Sequence, residues 1–346
     1  MRHKYLIVGG GPAAGYAAQE FVKQEVAKDE LVLISSDGTV PYDRPPLSKG
    51  YIQGKKSDED TLINPQSFYE ENGIRLQLDT RVVKVNPGDG AIETEGGDSV
   101  QCEKLLIVTG SRVRRLDLEG AEECVQYFRL LDDARRVSQA AEKVQNPLVL
   151  GGGFIGTEVA ASLTQRGLAV RLLFPEEQLI PHVFTKPMAD FFASHYKSKG
   201  VDVMPGRSAK RFKKTGEGIE VELNTGDSLK ADYVVAGIGV SPAVDLLDGS
   251  GLTVNDGLEV NEYLETGTDG VYAAGDVARF PDPRQGDTQR VVHWQNAKDQ
   301  GELAARNMTG ARDAYHDPPY FFSDVFELSW EYWGHNKNAD AAYHVG

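Results

Sequence analysis

Residues 5–15 read Tyr5-Leu6-Ile7-Val8-Gly9-Gly10-Gly11-Pro12-Ala13-Ala14-Gly15, and residues 148–158 read Leu148-Val149-Leu150-Gly151-Gly152-Gly153-Phe154-Ile155-Gly156-Thr157-Glu158. Each stretch is a short apolar run, then a glycine turn, then small residues that open a helix. Each also meets a second apolar run downstream, Leu31-Val32-Leu33-Ile34 in one case and Ala169-Val170-Arg171-Leu172-Leu173-Phe174 in the other. Strand, glycine turn, helix and strand form a βαβ unit, and its crossover is right-handed because a twisted strand feeding a right-handed helix packs back onto its sheet only that way. Gly9 and Gly151 are 142 residues apart, a domain-sized interval and not a solenoid period. The fold class expected is α/β, with two Rossmann-like units.

The rest of the chain is read outward from these two copies. Residues 81–85 and 91–94 look like strands joined by Asn86-Pro87-Gly88-Asp89-Gly90, and residues 104–108 like a buried strand that stops at Thr109-Gly110. The second copy repeats the plan with a hairpin over 211–223 and a strand over 233–236 that ends at Gly237-Ile238-Gly239. The run Val271-Tyr272-Ala273-Ala274-Gly275-Asp276 then returns to the first unit, so the second unit is read as inserted in the first. The domains expected are 1–115 plus 240–318, an inserted 116–239, and a short C-terminal α+β element over 319–346.

The glycines have a chemical reason. A backbone that closely approaches a pyrophosphate needs residues without side chains, and Gly9 and Gly11 supply them while the helix starting near Pro12 offers its positive end. Ala14 fills the third place, where only a small residue lets helix and strand pack. Gly151, Gly153 and Gly156 take the same places in the second copy, with Ile155 at the helix start. A ribose wants an acidic acceptor about 20 residues further on. Glu176 and Glu177 follow the second strand there, and a carboxylate that repels a 2′-phosphate predicts NADH over NADPH. Arg171 lies inside that strand and is the poorer candidate for reading a phosphate. The first copy offers Ser35-Ser36-Asp37, in which Ser36 is a weaker ribose partner and Asp37 stands one step later.

Composition narrows the partners. With 37 basic against 52 acidic side chains the 346-residue chain carries a net charge of −15, which argues against nucleic acid and anionic membranes as partners. No apolar run approaches the roughly 20 residues of a membrane span, and the short run after Met1 is too brief for a signal peptide, so a cytoplasmic chain without a membrane span is expected. Glycine contributes 37 residues, above the typical ~7%, which suits nucleotide loops. Cys102 and Cys124 form neither a CxxC pair nor a metal-ligand pattern, so no metal and no redox disulfide are expected.

The run Pro41-Tyr42-Asp43-Arg44-Pro45-Pro46-Leu47-Ser48-Lys49, together with Thr109-Gly110 and 271–276, resembles the FAD-dependent pyridine nucleotide–disulfide oxidoreductases. The branch it is similar to holds ferredoxin and rubredoxin reductases, monodehydroascorbate reductases and apoptosis-inducing-factor-like proteins. That resemblance implies a glutathione-reductase-like arrangement, FAD on the first unit and NADH on the second. It implies that Arg44 contacts the cofactor near its phosphates or ribose, that Lys49 stands near the flavin N5 paired with Glu158, and that Asp276, after Gly275, holds the ribityl or phosphate region. It assigns Val82 or Val83 a backbone contact with the adenine and makes Trp294, in His293-Trp294-Gln295-Asn296-Ala297, a wall of the flavin ring on the acceptor side. A cation near N5 stabilises the charge that develops as flavin is reduced, and a carboxylate beside it tempers and places that cation.

Disulfide reductases of this family carry a thiol pair beside the flavin, whereas this chain has Leu47 and Ser48 in that region. Electrons must then leave the flavin directly. The acceptor expected first is a small iron–sulfur protein of the ferredoxin or rubredoxin type, with Arg284 and Arg290 as a basic patch for it. The alternatives are a small organic acceptor, as in monodehydroascorbate or quinone reductases, and a redox-responsive binding protein like the apoptosis-inducing-factor group. The stretch 326–335 resembles the opening strands of the family's C-terminal domain, read here as reduced or shortened. An incomplete sheet would expose Trp330 and Trp333, which suggests a homodimer.

Overall fold

The computed structural model describes residues 2–284, 286–334, 341 and 343, so part of the expected C-terminal element, His335 included, lies outside the described residues. The chain forms two compact units: Met1–Asp43, Glu59–Arg112 and Ser241–Phe321 make the first, and Arg44–Asp58, Val113–Val240 and Phe322–Gly346 make the second.

In the first unit, Arg2–Val8 lies between Leu31–Ile34 and Ser99–Ile107 in parallel, with Arg75–Gln77 beyond Leu31–Ile34. Ser99–Ile107 is shared. Its early residues pair antiparallel with Ala91–Thr94, which pairs onward with Val82–Asn86, while Leu105–Ile107 pair in parallel with Val271–Ala273. The return of 271–273 to this sheet is the expected one. Tyr5, Leu6, Ile7 and Val8 are all buried, the continuous apolar pattern of a strand covered on both faces. Register brings Ile34, Val8, Ile107 and Ala273 level across four strands. The turns that follow them therefore open side by side at the carboxyl edge, where parallel sheets hold their ligands.

The second unit repeats this with five parallel strands in the order Asp202–Met204, Arg171–Leu173, Pro147–Leu150, Tyr233–Ala236 and Val125–Tyr127. Here Met204, Leu173, Leu150, Ala236 and Tyr127 end level. The hairpin expected over 211–223 gains a third strand: Ala209–Thr215, Gly218–Leu223 and Ser228–Ala231 form an antiparallel sheet.

Residues 44–58 group with the second unit, whereas the sequence places them in the first. The reason is a set of hydrogen bonds to the helix Phe154–Gln165 and the residue after it. Ser162 Oγ donates to the Ser48 carbonyl at 2.7 Å, Gln53 Nε2 donates to Ser162 Oγ at 3.1 Å, and Arg166 Nη1 donates to the Ile52 carbonyl at 3.0 Å. The strands Tyr320–Val325 and Leu328–Trp333 form a closing hairpin, and from Phe322 onward it belongs to the second unit instead of standing alone as a third element. Trp330 is not left bare: its ring lies 5.7 Å from Phe154 and 4.9 Å from Phe184. Trp333 is 63% exposed, so the aromatic edge expected from sequence is confined to that residue and its neighbours.

Candidate functional site

The first glycine turn is shaped by steric necessity. Gly9 has φ +132°, and a Cβ there would lie 2.2 Å from the Val108 carbonyl oxygen. Gly11 then caps the helix Pro12–Lys23 with extended backbone and no side-chain hydrogen bond; Pro12 carries no N–H and the Ala14 amide donates to the Gly11 carbonyl at 3.0 Å, so no side chain covers the start of the helix. Ala14 is fully buried. The second turn matches it closely. Gly151 has φ +112° and a Cβ there would reach the Gly237 oxygen at 2.4 Å; Gly153 caps the helix Phe154–Gln165 in nearly the same conformation and faces open space. Gly156 lies against the Gly151 carbonyl, too close for any side chain. Ile155 is partly exposed beside Gly237, and the Gly239 carbonyl accepts from the Arg114 amide at 3.0 Å.

Around the first turn the other strand ends supply their residues. Ser35 is buried and accepts from the Asp37 amide at 3.0 Å, while Ser36 is exposed. Asp37 is spent inside its own loop, accepting from the Thr39 amide at 3.1 Å and from the Tyr42 hydroxyl at 2.8 Å. Ser36 is left as an exposed polar side chain just past the strand Leu31–Ile34. Thr109 Oγ1 donates to the Ala243 carbonyl at 2.8 Å, and Gly110 turns the chain with φ +69°. Ser111 Oγ donates to Asp276 Oδ2 at 3.2 Å, which ties this segment to Gly275-Asp276. Gly275 (φ +75°) packs between Ala13 and Ala297, and its amide donates to Gln300 Oε1 at 2.9 Å. Val82 sits on the edge strand, where the register slips between Val82 and Lys84 and frees backbone for an outside partner.

Trp294 opens the helix Trp294–Met308 and donates its indole N–H to Asp43 Oδ1 at 2.6 Å. Tyr16 donates to the same carboxylate at 3.3 Å and meets Trp294 edge-on at 6.0 Å. Burial first, and the Asp43 charge second, push the Tyr16 hydroxyl well above its ordinary value. His293 stacks on Phe321 at 4.2 Å.

In the second unit, Lys49 interrupts the helical turn Leu47–Tyr51 (φ −118°, ψ −109°). Its ammonium lies 3.3 Å from Glu158 Oε1, 3.8 Å from Asp324 Oδ2 and 4.9 Å from the centre of the Phe322 ring. Glu158 is buried on the helix Phe154–Gln165. Among the described residues Arg44 Nε and Nη1 are buried and meet no hydrogen-bond partner, and a guanidinium so placed can receive an anion. Glu176 and Glu177 are exposed just past Arg171–Leu173, and the Glu176 carbonyl accepts from the Gly206 amide at 3.0 Å.

Several residues of these clusters were not singled out from sequence. Tyr16, Ser323 and Gln300 come from distant parts of the chain and carry no motif, and Asp43 lies inside the run 41–49 without a role of its own there. Arg207 is different. Its amide donates to the Phe174 carbonyl at 3.1 Å, which sets it beside Glu176 and Glu177. Its signal is the neighbouring strand Asp202–Met204, too short to read with assurance.

The fit to cofactors rests on three features: glycine cradles that exclude a Cβ, two helix starts without side-chain caps, and the orphaned Arg44 guanidinium. Two such cradles, one on each parallel sheet, define a reductase that works with two dinucleotides. Comparison with known proteins gives the same class. Residues 3–301 match the pyridine nucleotide–disulphide oxidoreductase family. The chain is 35% identical to a monodehydroascorbate reductase of Pisum sativum over 96% of its own length and 82% of that protein's. It is 37% identical, with the same coverage, to the peroxisomal monodehydroascorbate reductase 1 of Arabidopsis thaliana. Among solved structures, a ferredoxin reductase from Rhodopseudomonas palustris superposes with a TM-score of 0.92 at 29% identity, covering 98% of this chain and 84% of that one. The chain belongs to the pyridine nucleotide–disulphide oxidoreductase family. It is an NAD(P)H-dependent flavoprotein oxidoreductase that uses FAD.

Proposed function

We propose that the chain oxidises NADH and reduces a small organic acceptor of the monodehydroascorbate type. FAD, when bound, would supply the redox chemistry of hydride acceptance from a nicotinamide and electron release to the acceptor. In this reading Gly9, Gly11, Ala14, Ser36, Arg44, Val82, Thr109, Gly110, Gly275 and Asp276 hold FAD. Gly151, Gly153, Ile155, Gly156, Glu176 and Gly239 hold NADH. Lys49 supplies positive charge to the flavin as it is reduced, Glu158 sets where that charge sits, and Trp294 walls the ring.

The observation that carries the choice of acceptor is the fate of Arg284 and Arg290, the basic patch expected to receive an acidic redox protein. Arg284 pairs with Asp282 at 2.9 Å and donates to the His316 and Asp317 carbonyls, both at 2.8 Å. Arg290 donates to Asp256 at 3.2 Å and to the Asp276 carbonyl at 3.3 Å. Both guanidinium groups are engaged within their own unit, and the chain's net charge of −15 repels an acidic partner. Similarity to monodehydroascorbate reductases over nearly the whole chain supports the same order.

An iron–sulfur protein is the second reading, favoured by the backbone likeness to a ferredoxin reductase. Steady-state NADH oxidation with enzymatically generated monodehydroascorbate, and in parallel with ferredoxin and rubredoxin, separates the two. The small acceptor is expected to turn over at least about 10-fold faster, the scale of ordinary substrate discrimination. The reverse order would transfer the function to a protein acceptor.

A further inference from the structure

Glu158 is read above through its ion pair with Lys49, yet its closest partners are two hydroxyl groups. Ser48 Oγ donates to Glu158 Oε2 at 2.5 Å, and Ser323 Oγ donates to Glu158 Oε1 at 2.6 Å. A hydroxyl that donates to a carboxylate makes a charge-assisted bond, the stronger class of hydrogen bond. Ser48 is 1% exposed, Ser323 2% and Glu158 6%, so water does not compete for these contacts. One serine comes from the turn Leu47–Tyr51, the other from the closing hairpin.

The consequence is geometric. A carboxylate held by one cation can turn about its last bond and still satisfy that cation. A carboxylate with a different hydroxyl on each oxygen cannot, and both oxygens are pinned. The Lys49 ammonium then finds Oε1 at one fixed point, with the Phe322 ring and Asp324 on its other sides. Phe322, Ser323 and Asp324 are consecutive, so one strand places three of the groups around the Lys49–Glu158 pair. Tyr196 closes the cluster from below: it donates to the Thr157 carbonyl at 3.0 Å, and burial, with the Glu158 charge second, keeps its hydroxyl well above the ordinary value.

We propose that Ser48 and Ser323 are positioning residues that clamp the Glu158 carboxylate and, through it, fix the Lys49 ammonium for the reduction of FAD by NAD(P)H. The proposal deepens the role given to Lys49 and Glu158 and rests on that role. The step read is the first half-reaction, in which the nicotinamide loses a hydride and FAD gains it, so atoms and electrons balance without a further reactant. A serine suits position 48 for a chemical reason: a thiol is a weaker and longer donor and would loosen the clamp.

The test is single-turnover reduction of the FAD-loaded protein by NADH in the absence of oxygen, followed by the loss of flavin absorbance. Ser48→Ala and Ser323→Ala are each expected to slow reduction about 10-fold, and the pair about 30-fold, less than the product because both act through Glu158, within the range for groups that orient a functional residue. The NADH concentration at half-maximal rate stays within about 2-fold, since neither serine is assigned to nucleotide binding. Ser323→Thr keeps a hydroxyl and is expected to restore most of the rate. In a Glu158→Gln background the serine substitutions add little, because residues acting through one group are not additive.

Two outcomes overturn the proposal. One is FAD-loaded serine variants that melt earlier yet are reduced at the parent rate, which leaves the hydroxyls a packing role only. The other is serine effects that persist at full size in the Glu158→Gln background. Lys49→Ala and Glu158→Ala, run alongside, separate this from failure of the underlying role. If both are reduced at the parent rate, that role falls and the clamp with it; if they are slow while the serine variants are not, only the clamp falls.

Discussion

Glu176 stands exposed past the strand Arg171–Leu173, and its surroundings decide how far a single carboxylate governs nucleotide choice. In the proposed reading its position favours NADH, because a carboxylate accepts from ribose hydroxyls and repels a 2′-phosphate. Arg207 on the adjoining turn brings the opposite charge to the same region. Removing the acid should let the base dominate. Glu176→Ala is expected to lower the ratio of kcat/KM for NADH over NADPH by about 10-fold, the worth of one charged contact, and an unchanged ratio would move the ribose contact to another residue. At this scale, what sequence reveals is set by what each residue type can be used for. Gly9 and Gly151 are legible because only glycine tolerates their φ values with a carbonyl oxygen so near. Ser48 and Ser323 are not, because a serine fits almost any environment and its partner, Glu158, arrives only when the chain folds.

Among the elements, the segment Arg44–Asp58 shows most clearly where local reading stops. Its motif points to the flavin, yet its hydrogen bonds run to Ser162 and Arg166 in the second unit. Its far end is held by Arg135, whose Nε donates to Asp58 at 3.0 Å, and by the Tyr51 hydroxyl at 2.6 Å. The Arg135 hydrogen bond is the largest influence on Asp58 and holds its carboxyl below the usual range, against a smaller opposing effect of burial. The sign follows. A depressed folded value means the contact stabilises the protein above the ordinary carboxylate range and is lost as the pH falls through the folded value. Asp58→Asn is therefore expected to lower Tm by about 1–3 °C at neutral pH, as suits a half-exposed pair in a large chain. The gap to the parent should close as the pH drops below about 4; a gap independent of pH would mean that the charge of Asp58 is not what matters. Short strands were the other elements hidden from sequence. Val125–Tyr127 and Asp202–Met204 have three residues each, too few for a period to show, and both lie at the edges of a sheet whose central strands were plain.

For the molecule as a whole, duplication was legible because each glycine turn is bounded by strands whose residues next to the turn are buried and apolar. Acceptor choice was not, since charge counts do not say which charges are already paired. Arg284 and Arg290 look like a basic patch in the sequence and are internal partners in the fold. The same logic applies to the C-terminal aromatics, where Trp330 is absorbed by Phe154 and Phe184 while Trp333 faces outward. The central claim is that the two glycine cradles hold FAD and a nicotinamide nucleotide that react with each other. One anaerobic experiment addresses it directly: record the visible spectrum of the purified, folded protein, then add NADH in stoichiometric steps. The account predicts flavin bands that bleach fully with about one equivalent of NADH, the stoichiometry of hydride transfer. A folded protein that retains no FAD when supplied with it, or whose bound FAD keeps its spectrum through excess NADH and NADPH, would contradict it.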